Sequence, residues 1–256
     1  MTGQAGFIPL SKRRSVLYTV GAVLSPVLAF VLGRLTASLL PEGAAWLYLY
    51  AAGLEVLMIG VPAVLLILRK NREFLPSLIA PSPESLGLVM LAAVSYVLTA
   101  SLVSVIWVQL TVSLGIPLSA EPALPAANSA GELALALLCA AAVPAVCEEL
   151  FFRGLLLRFL LRKLTVGWAA FLCGLTFSLL HFSLRGFPAL LMFGFVQSLL
   201  VIRYKSLWLA VAFHFLYNAV VIVLESLGGH ISVQTVFLSA GIFAASLYLL
   251  FRKREV

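Results

Sequence analysis

Residues 132–157 read ELALALLCAAAVPAVCEELFFRGLLL, and the fold turns on how that run is taken. It is longer than the roughly 20 apolar residues a helix needs to cross hydrocarbon. Yet Glu148, Glu149 and Arg153 stand inside it. An ionised side chain near a bilayer centre costs about 2.5–3.5 kcal/mol on insertion scales, so three unpaired ones cost about 8–10 kcal/mol. As a membrane span, the run needs partners for these charges, which makes the cluster the first candidate for a functional site.

The rest of the chain supports the membrane reading. It has 256 residues, 62% hydrophobic and 11% charged, with mean hydropathy +1.11; a soluble domain is nearer half apolar and a quarter charged. Stretches at about 16–39, 44–68, 87–115, 132–157, 165–182, 187–202, 206–224 and 233–251 are the candidate spans. The fifth and sixth are short and joined only by Ser183 to Gly186, a tight hairpin or a partly re-entrant pair. No stretch alternates with the period of two that marks a transmembrane barrel. The expected fold is all-α, a polytopic transmembrane helix bundle of about eight spans.

The basic residues test that count. Eight spans put the clusters at Lys12–Arg14, at Arg69, Lys70 and Arg72, at Arg158, Arg162 and Lys163, at Arg203 and Lys205, and at Arg252–Arg254 on one side. Only Arg34, Arg153 and Arg185 of the 17 basic residues fall elsewhere. The positive-inside rule makes that side cytoplasmic, with both termini inside; a prokaryotic cell membrane is the expected setting. The net charge of +7 then reflects topology and contact with membrane lipid, and no basic–aromatic motif points to nucleic acid.

Residues 73–86 (EFLPSLIAPSPESL) read as a cytoplasmic connector and 116–131 (IPLSAEPALPAANSAG) as an extracytoplasmic loop. They divide the chain into a three-span region, 1–129, and a five-span region, 130–256. The first span is too long for the h-region of a cleavable signal peptide. Cys139, Cys147 and Cys173 lie in apolar spans, an odd number that argues against a disulfide framework. Cys147 adjoins the carboxylates, but a buried cysteine most often packs as a small hydrophobe.

Within 132–157, Glu149 and Arg153 are four apart and share a helix face, whereas Glu148 is turned about 100° away. That suggests a division of labour: Glu149 held by Arg153, Glu148 free to face a cavity. Two further segments add lipid-embedded polar groups, Phe177…His181 and His214…Asn218. Polar side chains inside a bundle gather and pair. Glu55 lies in the second span without a basic partner there; it faces the cavity or another helix, catalysis being the lesser reading. Gln197 reads as interhelical glue, His230 as an exposed loop residue, and Trp46, Trp107, Trp168 and Trp208 as interface anchors.

With those residues in hand, the chain resembles the CPBP family of intramembrane proteases, which includes type II CAAX prenyl endopeptidases and bacteriocin-processing or immunity proteins. The family pattern EExxxR, FxxxH, HxxxN is met by Glu148-Glu149…Arg153, Phe177…His181 and His214…Asn218, in order, over about 130–224. The resemblance implies a peptide or protein substrate, such as a prenylated one, and hydrolysis within or beside the membrane. Glu148 would activate water with help from His181, while His214 and Asn218 donate to the oxyanion and Glu149, Arg153 and Phe177 support them. Glu148, His181 and His214 also form a donor set suited to zinc; with no HExxH present, a metal-free glutamate mechanism is favoured. The rival readings are a non-catalytic immunity or scaffold protein and a proton- or ion-coupled transporter. The sequence does not fix the oligomeric state.

One geometrical difficulty accompanies this reading. Counted from the cytoplasmic ends, His181 lies about 25 Å up its span and His214 about 13 Å up its own. Straight, parallel helices would keep them apart.

Overall fold

The computed structural model describes residues 24–252 apart from 34, 37–38, 42, 70–78, 119–124 and 229–231. His230, residues 73–78 of the connector and the start of the first expected span lie outside the described residues. The described chain is helical: α1 (Leu24–Gly33), α2 (Ala44–Leu68), α3 (Pro83–Ser113), α4 (Ala130–Leu161), α5 (Val166–Leu180), α6 (Phe187–Tyr204), α7 (Leu207–Leu227) and α8 (Val233–Phe251). Six are long and apolar enough to cross a membrane; α1 and α5 are shorter apolar helices. The protein is an all-α, integral membrane protein.

Local chemistry sets several helix starts. Ser82, Ser129 and Ser232 each accept a hydrogen bond from the backbone N–H three residues on, the usual N-cap arrangement. Pro83 follows its cap at the first turn, where its missing N–H costs nothing. Glu132 returns a bond to the N–H of Asn128 at 2.9 Å, closing the start of α4.

The helices that carry the acidic residues are not regular. α2 widens into a π-turn at Val56–Gly60, and α4 does so at Leu137–Ala142 and Leu150–Leu156. Prolines explain two of these. Pro62 and Pro144 cannot donate to the carbonyls of Met58 and Ala140, and their rings crowd those carbonyls, which opens the preceding turn. The orphaned Ala140 carbonyl accepts instead from Asn218 Nδ2 on α7, at 3.3 Å.

The N-terminal and C-terminal regions interpack. α3 lies against α7 and α8, and α2 against α4. Tyr96 of α3 is the hub of an aromatic core, with ring centroids 4.8 Å from Phe243, 5.8 Å from Phe213 and 5.9 Å from Phe193. α5 and α6 form the closest helix pair. A Cβ on Gly194 would stand 2.7 Å from Gly174 Cα, and one on Gly174 would stand 2.7 Å from the Phe195 nitrogen. Glycine is required at both places because the two backbones touch.

The hairpin between those helices is pinned at several points. Trp107 of α3 donates its indole N–H to Leu184 O at 2.8 Å. Ser178 donates to Phe187 O at 2.6 Å, and Ser183 accepts from the Gly186 N–H at 2.8 Å. Phe182 takes a left-handed conformation (φ 51°) and stacks on Phe30 of α1 at 4.1 Å. Trp107 is thus a loop clasp, while Trp46, Trp168 and Trp208 are about half exposed, as membrane-facing rings are.

Candidate active site

Glu149 and Arg153 are fully buried, and each is bonded from more than one helix, with Arg153 Nε left without a partner among the described residues. Arg153 Nη1 donates to Glu149 Oε1 at 2.8 Å, and Nη2 donates to Gly194 O on α6 at 3.0 Å. Its guanidinium lies 4.8 Å from the centroid of the Phe177 ring, a cation–π contact worth more where water is absent. Gly194 therefore does two things: it lets α5 approach and offers its carbonyl to the buried cation.

Glu149 also holds an imidazole. His214 Nδ1 lies 2.8 Å from Glu149 Oε1. Gln197 completes the set: with its amide oriented to satisfy its neighbours, its nitrogen donates to Glu149 Oε1 (3.1 Å), Oε2 (3.2 Å) and Ala210 O (3.0 Å). A carboxylate that receives a guanidinium, an imidazole and a carboxamide is a fixed anchor. Read from sequence, Gln197 is merely polar glue; its position in an otherwise apolar span was the signal that it faces a charge.

Glu148 is different. Its side chain keeps 12% exposure, and both imidazoles point at one of its oxygens: His181 Nε2 at 3.9 Å and His214 Nε2 at 4.0 Å from Oε2. That oxygen has no hydrogen-bond partner among the described residues. The other ring nitrogens decide the tautomers. His181 Nδ1 is 2.8 Å from Phe177 O, a carbonyl that only accepts, so Nδ1 carries hydrogen. His214 Nδ1 meets a carboxylate and does the same. In both rings it is therefore Nε2 that is turned towards Glu148.

The depth difficulty disappears in this geometry. His181 ends the 15-residue α5, while His214 is the eighth residue of α7. Reaching the same carboxylate oxygen requires the two helix starts to be offset by about 12 Å along the bundle. The Gly174–Gly194 contact and the pinned hairpin hold that offset.

A cavity of about 250 Å³ opens beside Glu148. His181 and Glu55 share its wall, with apolar surfaces from Pro26, Ala29 and Phe30 of α1, Ala51, Leu54 and Ile59 of α2, and Phe152 and Leu180. His214 and Asn218 are not among its lining residues. Asn218 stands one turn from His214 and is engaged with Ala140 O. Cys147 is buried, its Sγ against Gly60 of α2.

The donor set Glu148, His181 and His214 has the chemistry of an open zinc site. Among the described residues, however, no three His, Cys, Asp or Glu side chains converge closely enough to hold one ion. A zinc ion would need these three side chains to draw closer together.

Residues 130–220 match the family model for type II CAAX prenyl endopeptidase, Rce1-like. The match supports the CPBP/CAAX protease family for this segment. The Rce1-like segment spans α4 to most of α7 and contains every residue of the three motifs, with the glutamates, both histidines and Asn218 inside it. Neither a curated protein nor a solved structure matches the chain. An intramembrane CAAX-type protease is the activity to which the family points.

Proposed function

We propose that the protein is an intramembrane endopeptidase in which Glu148 activates a water molecule to hydrolyse a peptide bond of a membrane-associated or lipidated substrate. The observation that carries this reading is the convergence of two imidazole Nε2 atoms on one unpartnered Glu148 oxygen beside a cavity. Gaps of 3.9 and 4.0 Å are too long for direct hydrogen bonds and suit a bridging water.

The chemistry balances on the chain's own residues. A water donates one hydrogen to Glu148 and the other to an imidazole Nε2. As its oxygen attacks the substrate carbonyl carbon, its proton passes to Glu148. His214, backed by the Glu149 carboxylate, can take up a proton and then donate from Nε2 to the oxyanion. Collapse of the tetrahedral intermediate breaks the C–N bond, and the proton on Glu148 goes to the leaving amine. Asn218 has one N–H committed to Ala140 O and does not line the cavity, so its role here is to brace α4 against α7.

The apolar walls suit an acyl or isoprenyl chain beside the scissile bond, and a lipidated tail is the substrate class proposed. Cytoplasmic termini follow from the basic clusters. In the same orientation, a cleft of about 420 Å³ lined by Arg153, Arg158, Arg162 and Lys205 faces the cytoplasmic leaflet. The decisive experiment compares membrane peptides in native cells carrying wild-type or Glu148→Gln protein. Uncleaved precursors should accumulate only with the variant; identical peptide profiles would remove the hydrolase reading and leave the immunity or scaffold role.

A further inference from the structure

Glu55 is a partly buried acidic residue that the hydrolytic mechanism does not use, and three features set it apart. It comes from α2, outside the 130–220 segment that carries the family motifs. Its Oε1 is buried with no hydrogen-bond partner among the described residues, as is Glu148 Oε2. Both carboxyls line the same cavity.

The local fold explains how it arrives there. Glu55 immediately precedes the π-turn Val56–Gly60. A turn closed by i→i+5 bonds brings residues five apart closer in angle than a regular α-turn does, so Glu55 and Gly60 lie towards the same side of α2. Gly60 packs directly on Cys147: a Cβ added there would stand 2.7 Å from the Cys147 Sγ. That contact presses the Glu55 face of α2 against α4 at the residue preceding Glu148. A regular α-turn would rotate residues five apart by about 140° and point one of them elsewhere. The proline-induced widening is what delivers the carboxyl to the cavity.

A lone carboxyl in a lipid-spanning helix is a burden to stability unless it has a task. A water held between them would satisfy the unmade bonds of both Glu55 and Glu148. We propose that Glu55 is a positioning residue of the hydrolytic site, its carboxyl and that of Glu148 bracketing the attacking water from two helices. This rests on the hydrolase reading, and it makes α2 part of the site.

The test sets stability against activity. Glu55→Leu replaces the carboxyl with a side chain that lipid tolerates, and Glu55→Gln keeps its shape and hydrogen bonding. Precursors that accumulate with Glu148→Gln in native cells reveal the substrate directly, and one of them then serves as the kinetic probe. The expected result is a fall in kcat of about 100-fold in Glu55→Leu, with KM within about threefold and the melting temperature equal or higher. Glu55→Gln should recover part of the loss. Wild-type kcat in Glu55→Leu overturns the inference, and so does a loss of kcat that tracks a lower melting temperature in both variants. Should Glu148→Gln itself cleave normally, the hydrolase reading falls first; an inert Glu148→Gln beside a fully active Glu55→Leu removes only the role of Glu55.

Discussion

His214 Nδ1 and Glu149 Oε1 lie 2.8 Å apart in a fully buried setting, and this one contact orients the imidazole that faces Glu148. The two neighbouring glutamates of α4 thus have different surroundings. Glu149 is bound on several sides; Glu148 is left with an unpartnered oxygen, the one to which the proposed mechanism assigns the reaction. Adjacent positions on a helix point about 100° apart, and the bundle uses that difference.

Glu148→Gln should lower cleavage by about 10²–10⁴-fold, the range for loss of a general base, with the melting temperature within a degree or two of wild type. Turnover of an accumulated precursor by purified protein measures it. Full activity would sink the proposed mechanism.

Arg153→Met should unfold the protein or cost about 3–5 kcal/mol, because it leaves the Glu149 charge buried with its strongest partner gone. Thermal denaturation in detergent is the measurement. The double variant Arg153→Met/Glu149→Leu should be more stable than Arg153→Met alone, since it removes the stranded charge as well.

Asn218→Leu should cost about 1–3 kcal/mol by orphaning the Ala140 carbonyl. In a Pro144→Ala background that carbonyl regains a helical N–H, and the cost should shrink. A double-mutant cycle on melting reads the coupling. If the two substitutions add without interaction, the account of Asn218 as the replacement donor is wrong.

Gly194→Ala places a methyl 2.7 Å from Gly174 Cα, a backbone neighbour that cannot swing away. Parting of α5 from α6 should cost about 1–3 kcal/mol and should also slow turnover, because His181 rides on α5. An unchanged melting temperature would show that this contact does not set the hairpin.

Zinc chelators at millimolar concentration should leave turnover unchanged, and purified active protein should carry less than one equivalent of metal. Chelator inhibition reversed by added zinc would replace the water mechanism with a metal-assisted one.

Much of this was legible in the chain. Hydropathy and the basic clusters mark out the helices, and the spacing of Glu149 and Arg153 foretells their pairing because i,i+4 neighbours on a helix meet. Three things were not. Regular periodicity gives no hint of π-turns, although Pro62 and Pro144 are the residues that open two of them. Counting residues along parallel helices set His181 and His214 at different depths, because the offset of α5 depends on a backbone contact between two distant glycines. The destination of Gln197, and of Glu55 on its widened turn, depended on which helices become neighbours, and that information is tertiary.

The touching backbones of α5 and α6 have a practical consequence for redesign. Because main chain rather than exchangeable side chains sets the spacing of the polar cluster, the wall opposite it can be rebuilt independently. Swapping Ala29, Ala51 and Leu54 for bulkier or smaller residues reshapes the chamber from α1 and α2 alone. A library confined to those three positions could shift selectivity between short and long hydrocarbon tails without touching the residues that would perform the cut.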